Sequence, residues 1–295
     1  MKPHRVGVLV SAAFFFTALR ASAQLLPPIC VLCWQPPVGA RWQYQLQGVG
    51  AYAATGGINV DITAVPAEGG PPVSPDVFDI DLYVDSAVNG RNDEVNSSAV
   101  AAIHAKGAGA ICYVDAGTWE NWRPDASQYP SDVLGNENGW PGERWVDIRR
   151  IDVLGPILSA RAQKCKLGGF DAIEWDNVDG YQNSTGFPLT ADDQLQFNAY
   201  LANLAHQNLL SVGLKNDMDQ LSALQPYFDF AVNEECFRYG ECDYPPPGLP
   251  AWTASGKAVF NVEYTSLECT QADAWGFGSI LKDLDLWDVP WTPCR

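Results

Sequence analysis

Histidine is the scarcest of the common catalytic residue types in this sequence. The 295 residues contain three histidines, and His4 lies in a segment that we expect to be removed. His104 and His206 both lie in stretches with helical periodicity. Serine and cysteine nucleophiles usually need a histidine base, and many metal sites need histidine ligands. The sequence therefore argues against those classes and leaves catalysis to carboxylates.

Basic residues are also few. The chain has 18 Lys and Arg against 35 Asp and Glu, a formal net charge of −17. Nucleic acid and anionic lipid are poor partners for such a chain, whereas a cationic polymer is attracted to it. Acidity can also serve solubility alone. We expect no nucleic-acid partner and keep a cationic polymer as a candidate.

Long apolar runs are missing except at the N-terminus. Residues 1–23 combine Lys2 and Arg5 with an apolar run and end in Ala-Ser-Ala, which is typical of a secretory signal cleaved near Ala23/Gln24. No other apolar segment reaches membrane-spanning length. We expect a secreted, soluble monomer without a membrane span.

All eight cysteines lie after this signal. An even number of cysteines in an exported chain predicts disulfides. We predict that Cys236 pairs with Cys242 across a short loop and that Cys269 pairs with Cys294 near the C-terminus.

Metal and cofactor motifs are weak. Cys30-x-x-Cys33 could bind zinc, but no second ligand pair follows at finger-like spacing. The acids of residues 168–181 could bind calcium, but their spacing does not follow an EF-hand loop. No glycine-rich phosphate turn follows the first strand, which also argues against a doubly wound sheet. We predict no metal and no cofactor.

Strand and helix patterns alternate through the chain after an irregular lead-in at residues 24–40. Strand patterns cover residues 42–47, 77–83, 109–115, 170–175, 211–216, 228–235, 257–264 and 279–285. Helical patterns cover residues 97–106, 145–167, 190–207 and 219–227. Thr190 is predicted to cap the third of these helices, and Pro156 is predicted to kink or divide the second. Residues 123–144 are predicted to form a long loop. About eight β-α units in one domain, residues 41–295, predict an α/β fold: a single (β/α)8 or TIM barrel stabilised by disulfides.

The stretch GGFDAIEWDNVDGY at residues 168–181 is the most informative. Strand alternation places Glu174 and Asp176 on one face. Because buried carboxylates cost several kcal/mol unless they are paired or protonated, we interpret this face as a working site. Asp171 and Asp179 are predicted to cap a turn or the following helix.

Polar residues also follow the ends of other predicted strands. They are Asp81, Asp115, Asp176, Lys215, Asn216, Glu234, Glu235 and Glu263. In a (β/α)8 barrel the carboxyl ends of the strands meet at one mouth, where sites are built. Paired carboxylates with aromatic neighbours and no histidine fit glycoside hydrolysis, in which one carboxyl donates a proton and the other acts as nucleophile or base.

The motifs WQYQLQG, FDIDLY, YVDAGTWENWRPD, GFDAIEWDNVDGY, VGLKND, NEECF and FNVEYT resemble those of the endo-α-1,4-polygalactosaminidase family, glycoside hydrolase family 114. The resemblance covers about residues 34–294. It implies a (β/α)8 barrel that cleaves internal α-1,4 bonds in partly deacetylated, galactosamine-containing exopolysaccharide, a cationic polymer. Carried over by motif, it implies Asp176 and Glu234 as the catalytic pair.

We assign Asp176 as nucleophile or base and Glu234 as acid, although Glu174 or Glu235 could replace either. Candidate substrate-binding residues are the acids Asp79, Asp81, Asp115, Glu174, Glu235 and Glu263, the aromatics Trp119, Tyr181 and Tyr264, and Lys215 with Asn216. Two other functions stay open: a glycosidase that acts on another glycan, and a secreted glycan-binding barrel without turnover. The two acids at strand ends argue against the second, because a binding module does not need them.

Overall fold

A computed structural model describes residues 30–295. The expected signal segment and residues 24–29 of the lead-in lie outside the described residues. Within residues 30–295, no helix is long and apolar enough to cross a membrane.

Twelve strands occur in the described part of the chain. They are β1 (Trp42–Gln45), β2 (Val77–Asp81), β3 (Gly109–Asp115), β4 (Thr118–Glu120), β5 (Leu134–Glu137), β6 (Glu143–Val146), β7 (Ala172–Asp176), β8 (Ser211–Lys215), β9 (Phe230–Glu234), β10 (Val259–Glu263), β11 (Gly278–Leu281) and β12 (Thr292–Pro293). The helices are α1 (Ser86–Asn89), α2 (Ser97–Ala105), α3 (Ile151–Leu167), α4 (Ala191–Gln207), α5 (Leu221–Leu224), α6 (Cys236–Tyr239), α7 (Pro250–Ala254) and α8 (Cys269–Trp275). Short 3-10 helices occupy Gly50–Thr55, Ala126–Gln128, Ser131–Val133, Gly180–Gln182 and Met218–Gln220.

Eight parallel strands form the barrel. The sheet order is β1-β2-β3-β7-β8-β9-β10-β11, and β12 adds to β11 as an antiparallel edge. The indole nitrogen of Trp42 on β1 donates a hydrogen bond to the carbonyl of Gly278 on β11 at 2.8 Å, so the first and last parallel strands lie side by side. Every residue of β8 and of β10 is buried, as parallel strands covered on both faces require. The predicted (β/α)8 barrel is confirmed.

The structure corrects the predicted helix at residues 145–167 in two respects. The helical pattern at residues 145–167 begins as a helix only at Ile151, because Trp145 and Val146 belong to strand β6. Pro156 lies inside α3 and does not divide it. Because Pro156 has no backbone N–H, the carbonyl of Asp152 receives no helical hydrogen bond from it. Asp152 is an exposed residue near the start of the helix.

The predicted long loop at residues 123–144 contains regular structure. Strand β5 and the start of β6 lie within it, and with β4 they form an antiparallel sheet in the order β4-β6-β5. This three-stranded sheet is inserted between barrel strand β3 and helix α3. The strands have three or four residues each and few β-branched side chains, so sequence patterns do not reveal them.

The helix expected at residues 219–227 is shorter in the structure. A 3-10 turn, Met218–Gln220, is followed by a single helical turn, Leu221–Leu224. The Thr190 cap is confirmed, because its side chain and that of Asp193 form a capping box at the start of α4.

Four disulfides are present. Cys236–Cys242 and Cys269–Cys294 confirm the two predicted pairs. Cys112–Cys165 joins barrel strand β3 to helix α3. Cys30–Cys33 closes a short loop. These two cysteines therefore form a disulfide and not the zinc site that was the alternative interpretation.

Candidate active site

The carboxyl ends of the barrel strands surround a cleft of about 520 Å³. Acidic side chains predominate among its charged lining residues. They are Asp81, Asp85, Glu120, Glu143, Asp176, Asp179, Glu234 and Asp285. The basic lining residues are Arg123 and Lys215. The excess of carboxylates gives the cleft a potential that favours a cationic ligand.

Asp176, the last residue of β7, lies at the floor of the cleft. Its Oδ2 accepts a hydrogen bond from the hydroxyl of Tyr113 at 2.6 Å. Its Oδ1 accepts hydrogen bonds from Lys215 Nζ at 3.0 Å and from the backbone N–H of Asn177 at 2.8 Å. Three donors therefore hold one carboxylate in a single orientation.

Glu234, the last residue of β9, is the second carboxyl at this floor. Its Oε1 accepts a hydrogen bond from the hydroxyl of Tyr264. Its Oε2 contacts Lys215 Nζ at 3.2 Å and Asn216 Nδ2 at 3.3 Å. The Glu234 side chain is 29% exposed and that of Asp176 is 17% exposed, so both acids are accessible from the cleft.

Lys215 stands between these two acids. Its ammonium also lies 3.5 Å from Glu174 Oε1 and 3.3 Å from the hydroxyl of Tyr44. Glu174 and Asp176 both contact this one ammonium, which confirms that they lie on one face of β7. Lys215 is 3% exposed, so its charge is balanced by these carboxylates rather than by water.

The ammonium controls the ionisation of Asp176. Burial alone would raise the pKa of Asp176, but Lys215 and the hydrogen bonds from Tyr113 and Asn177 outweigh it and lower that pKa. Burial opposes the charge of Lys215, but Asp176 and Glu234 raise its pKa well above the ordinary value. Asp176 and Lys215 are therefore an ion pair at neutral pH.

A second pair of acids lies beneath this floor, inside the barrel. Asp79 and Glu174 are fully buried. Burial, and then the charge of Glu174, raise the pKa of Asp79 well above its ordinary value. No described donor reaches either oxygen of Asp79 or Oε2 of Glu174, so the pair needs a proton of its own. Glu174 Oε1 contacts Lys215 Nζ at 3.5 Å, so this pair lies next to the ammonium that joins Asp176 and Glu234.

The residues that follow three of the strands adopt an uncommon backbone conformation. Asn177, Asn216, Asp217 and Glu235 have φ angles of 58°, 49°, 50° and 59°. Asn and Asp tolerate this left-handed region, whereas a glutamate rarely adopts it. Because strained backbone gathers at functional sites, these turns mark the ends of β7, β8 and β9 as the working end of the barrel.

The structure places the sequence-predicted site residues in two groups. Those that line the cleft are Asp81, Asp176, Lys215, Asn216, Glu234 and Tyr264. Those that do not are Asp79, Asp115, Trp119, Glu174, Tyr181, Glu235 and Glu263. Apart from Asp79, members of the second group make contacts within the protein. For example, Glu235 pairs with Arg238 at 2.5 Å and Glu263 accepts a hydrogen bond from the backbone N–H of Phe237 at 3.0 Å.

Asp179 was predicted to cap a turn or helix, and the structure corrects this. It precedes the 3-10 turn Gly180–Gln182, but its side chain makes no capping hydrogen bond and lines the cleft instead. The predicted capping role of Asp171 takes another form: its carboxylate accepts a hydrogen bond from the backbone of Ala110 at 2.9 Å and contacts His104.

Three site residues were missed from the sequence. Tyr44 and Tyr113 lie on strands, and alternation places Tyr113 on the same face as Asp115, so a search for inward-facing hydroxyls would have found both. Glu143 lies on β6 within the predicted loop, and no sequence signal distinguishes it.

A (β/α)8 barrel with two accessible carboxylates at the ends of its strands fits a glycoside hydrolase, and the family comparison shows that class. Residues 30–294 match the profile of glycoside-hydrolase family GH114, and the chain belongs to that family. A comparison with curated proteins finds no significant match.

Two solved structures are similar to the chain. The crystal structure of Aspergillus fumigatus Ega3 in complex with galactosamine has 30% sequence identity and a TM-score of 0.69, and the match covers 86% of this chain and 95% of that chain. The glycoside hydrolase domain of PelA from Pseudomonas aeruginosa has 12% identity and a TM-score of 0.57, with 87% and 98% coverage. The second similarity supports the fold alone.

Proposed function

We propose that this protein is a secreted hydrolase that cleaves internal α-1,4-galactosaminidic bonds in partly deacetylated galactosamine-containing polysaccharide. The observation that carries the proposal is the pair Asp176 and Glu234, held by one lysine at the floor of an acidic cleft. The galactosamine bound to the similar Ega3 structure supports this substrate class. Unacetylated galactosamine units carry ammonium groups, which fit the charge of the cleft.

In the proposed reaction, Asp176 is the nucleophile. Its lowered pKa keeps it ionised, and the hydrogen bonds from Tyr113 and Asn177 orient it. Glu234 has the more exposed side chain and donates a proton to the leaving oxygen as the glycosidic bond breaks. It then takes a proton from the water that hydrolyses the glycosyl ester on Asp176.

The spacing of the two acids supports this two-step, retaining reaction. Asp176 Oδ1 and Glu234 Oε2 lie 3.0 and 3.2 Å from the same Lys215 nitrogen. These two oxygens can be no farther apart than the sum of those distances. A separation within that limit is compatible with the spacing of about 5–5.5 Å between the carboxyl groups of retaining enzymes.

The test is product release from an α-1,4-linked galactosamine polymer, analysed by mass spectrometry. We expect short oligomers from the wild type, and a loss of at least about 1,000-fold in rate for Asp176→Asn and for Glu234→Gln, since each removes one half of the acid pair. Glu137→Gln, an exposed glutamate on β5, is the matched control and should retain full activity.

Each alternative predicts a different outcome. Products only from neutral glycans would indicate a glycosidase of other specificity. A folded wild type that binds the polymer without releasing products would indicate a glycan-binding barrel. Undiminished activity in either variant would transfer its role to Glu174 or Glu235.

A further inference from the structure

The sequence contains two acceptor motifs for N-linked glycans, Asn-x-Ser/Thr with a residue other than proline in the middle. They are Asn96-Ser97-Ser98 and Asn183-Ser184-Thr185. The motif is required for the modification, but it does not show whether the asparagine has room for a glycan in the folded protein. The structure separates the two motifs, because their asparagines lie in opposite environments.

The first asparagine is buried. Asn96 directly precedes helix α2 and is 1% exposed. Its Nδ2 donates hydrogen bonds to the carbonyl of Asp81 at 2.9 Å and to that of Tyr83 at 2.8 Å, so both amide hydrogens are used inside the protein. A glycan would replace one of these hydrogens and would bring polar sugar groups into a buried space. The folded protein therefore has no place for a glycan at Asn96.

The second asparagine is exposed. Asn183 directly follows the 3-10 turn Gly180–Gln182 in the connection from β7 to α4. Its Nδ2 donates a hydrogen bond to the backbone carbonyl of Asp179 at 3.3 Å. A glycan replaces one of the two hydrogens on Nδ2, and the other hydrogen can keep this bond. Asn183 can therefore be modified without loss of a contact that the fold needs.

The loop that carries Asn183 is anchored to the inserted sheet. Asn136 on β5 donates from its backbone N–H to the carbonyl of Thr185 at 2.8 Å and from its Nδ2 to that of Ser184 at 2.9 Å. Thr185 is 1% exposed, and its hydroxyl accepts a hydrogen bond from the backbone N–H of Phe187 at 3.2 Å. A glycan on Asn183 therefore starts from a fixed point.

That point lies at the cleft. Asn183 is one of the residues that line it, and so are Asn138 and Trp140 of the inserted sheet. An N-linked glycan is bulky and hydrophilic, so it extends from the exposed asparagine into solvent next to the cleft. It thereby takes up space on the side of the cleft where the β7–α4 connection meets the inserted sheet.

We propose that Asn183 carries an N-linked glycan and that this glycan restricts the entry of long chains into the cleft. The inference rests on the proposed function, because a secreted eukaryotic protein passes through the compartment in which N-glycans are attached. The four disulfides fit the same oxidising compartment. A polymer that is cleaved at internal bonds extends beyond the cleft and meets the glycan, whereas a short oligosaccharide fits within the cleft.

The modification needs a sugar donor, which the secretory pathway supplies as an oligosaccharide bound to a lipid pyrophosphate. Nδ2 of Asn183 forms a bond to C1 of the first sugar, and the bond between C1 and the phosphate oxygen breaks. The lipid pyrophosphate leaves with the electron pair, and the amide loses one proton. Attachment precedes folding, so the burial of Thr185 in the folded loop does not prevent it.

The first experiment locates the glycan. The protein is secreted with its own signal segment from a eukaryotic host, and its peptides are analysed by mass spectrometry before and after enzymatic release of N-glycans. Release converts a modified asparagine to aspartate, which marks the site. We expect this mark at Asn183 and none at Asn96. The variant Asn183→Gln should be secreted without any N-glycan.

The second experiment tests the effect on entry. An endoglycosidase trims the glycan of the wild type to a single sugar, and intact and trimmed enzymes are compared on an α-1,4-linked galactosamine polymer and on a short oligosaccharide of the same linkage. We expect trimming to raise kcat/KM at least about threefold on the polymer, because a steric obstacle slows association. The rate on the oligosaccharide should not change. Asn183→Gln given the same treatment is the control, and the treatment should change neither of its rates.

An unmodified Asn183 overturns the inference, as does a glycan at Asn96 in the folded protein. Equal rates of the intact and trimmed enzymes on the polymer overturn the restriction of entry. A wild type that cleaves neither substrate refutes the proposed function, and the restriction of entry with it, whereas the peptide analysis still decides whether Asn183 is modified. The two failures are therefore distinguishable.

Discussion

At the scale of single residues, Lys215 organises the site. One buried ammonium contacts Asp176, Glu234 and Glu174, and no water-exposed charge could replace it. Strand alternation and the position of strand ends identified Asp176, Lys215 and Glu234 from the sequence. The sequence could not show that the Lys215 nitrogen contacts both Asp176 and Glu234, because these contacts join β8 to its neighbours β7 and β9 in space.

We predict that Lys215→Met shifts the acidic limb of the pH profile of kcat/KM to higher pH. The proposed reaction needs ionised Asp176, whose pKa is lowered mainly because Lys215 offsets burial. Without the ammonium, burial dominates and the pKa of Asp176 rises. The variant should therefore be less active than the wild type at low pH and should regain activity as the pH increases. The pH profile of kcat/KM measures this directly.

Circular dichroism of the Lys215→Met variant is the necessary control, since the substitution also leaves Glu174 buried without its cation. A folded variant whose acidic limb coincides with that of the wild type would show that Tyr113 and Asn177 suffice to hold Asp176 ionised.

At the scale of elements, the site depends on close contact between the end of β7 and the connection from β3 to β4. The backbone N–H groups of Ala116 and Gly117 both bond the carbonyl of Asp176 at 3.1 Å. A Cβ atom on Gly117 would lie 1.7 Å from the carbonyl oxygen of Asn177. Only glycine allows this approach, and the sequence alone does not distinguish Gly117 from any other loop glycine.

We predict that Gly117→Ala lowers kcat by at least about tenfold, because the two backbones must separate and Asp176 moves with them. The comparison is Gly139→Ala, a hairpin glycine whose added Cβ meets no atom within 4 Å. Gly139 has a positive φ of 106°, so its substitution can cost stability but should not reduce kcat. Equal kcat values for the two variants would contradict the role of Gly117.

The inserted three-stranded sheet is the element that sequence patterns missed. Its strands are short and their partners lie within one hairpin region, so neither hydrophobic periodicity nor composition reveals them. Glu143 and Trp140 reach the cleft only because this sheet folds over the end of β3. The inserted sheet therefore forms part of the cleft wall.

At the scale of the whole molecule, the disulfide Cys112–Cys165 closes the longest of the four covalent loops, with a sequence separation of 53. This loop contains the inserted sheet and joins β3 to the helix that follows it. We predict that the double variant Cys112→Ala/Cys165→Ala loses about 4 kcal/mol of unfolding free energy, because the unfolded chain gains the entropy of an open loop.

The double variant Cys30→Ala/Cys33→Ala is the matched control, since its sulfurs are separated by only three residues. It should lose less than half as much stability. Denaturant unfolding of both variants measures the difference, and equal losses would show that strain or packing, rather than loop closure, sets the contribution of Cys112–Cys165.

The sequence by itself determined the barrel and the family resemblance, because strand alternation and motif order are local features of a chain. From strand-end polarity and the resemblance it also predicted Asp176 and Glu234 as the acid pair, and that assignment stays a prediction. The sequence also predicted two of the four disulfides, both of which lie in the C-terminal half of the chain. Tertiary structure alone decided which acids face the cleft and which are neutralised within the protein. Asp115 and Glu263 are strand-end acids like Asp176 in the sequence, yet they are buried and accept hydrogen bonds from within the protein, whereas Asp176 lines the cleft. The physical reason is that the ionisation and availability of a carboxylate depend on the charges and donors around it in space, and distant parts of the chain supply these.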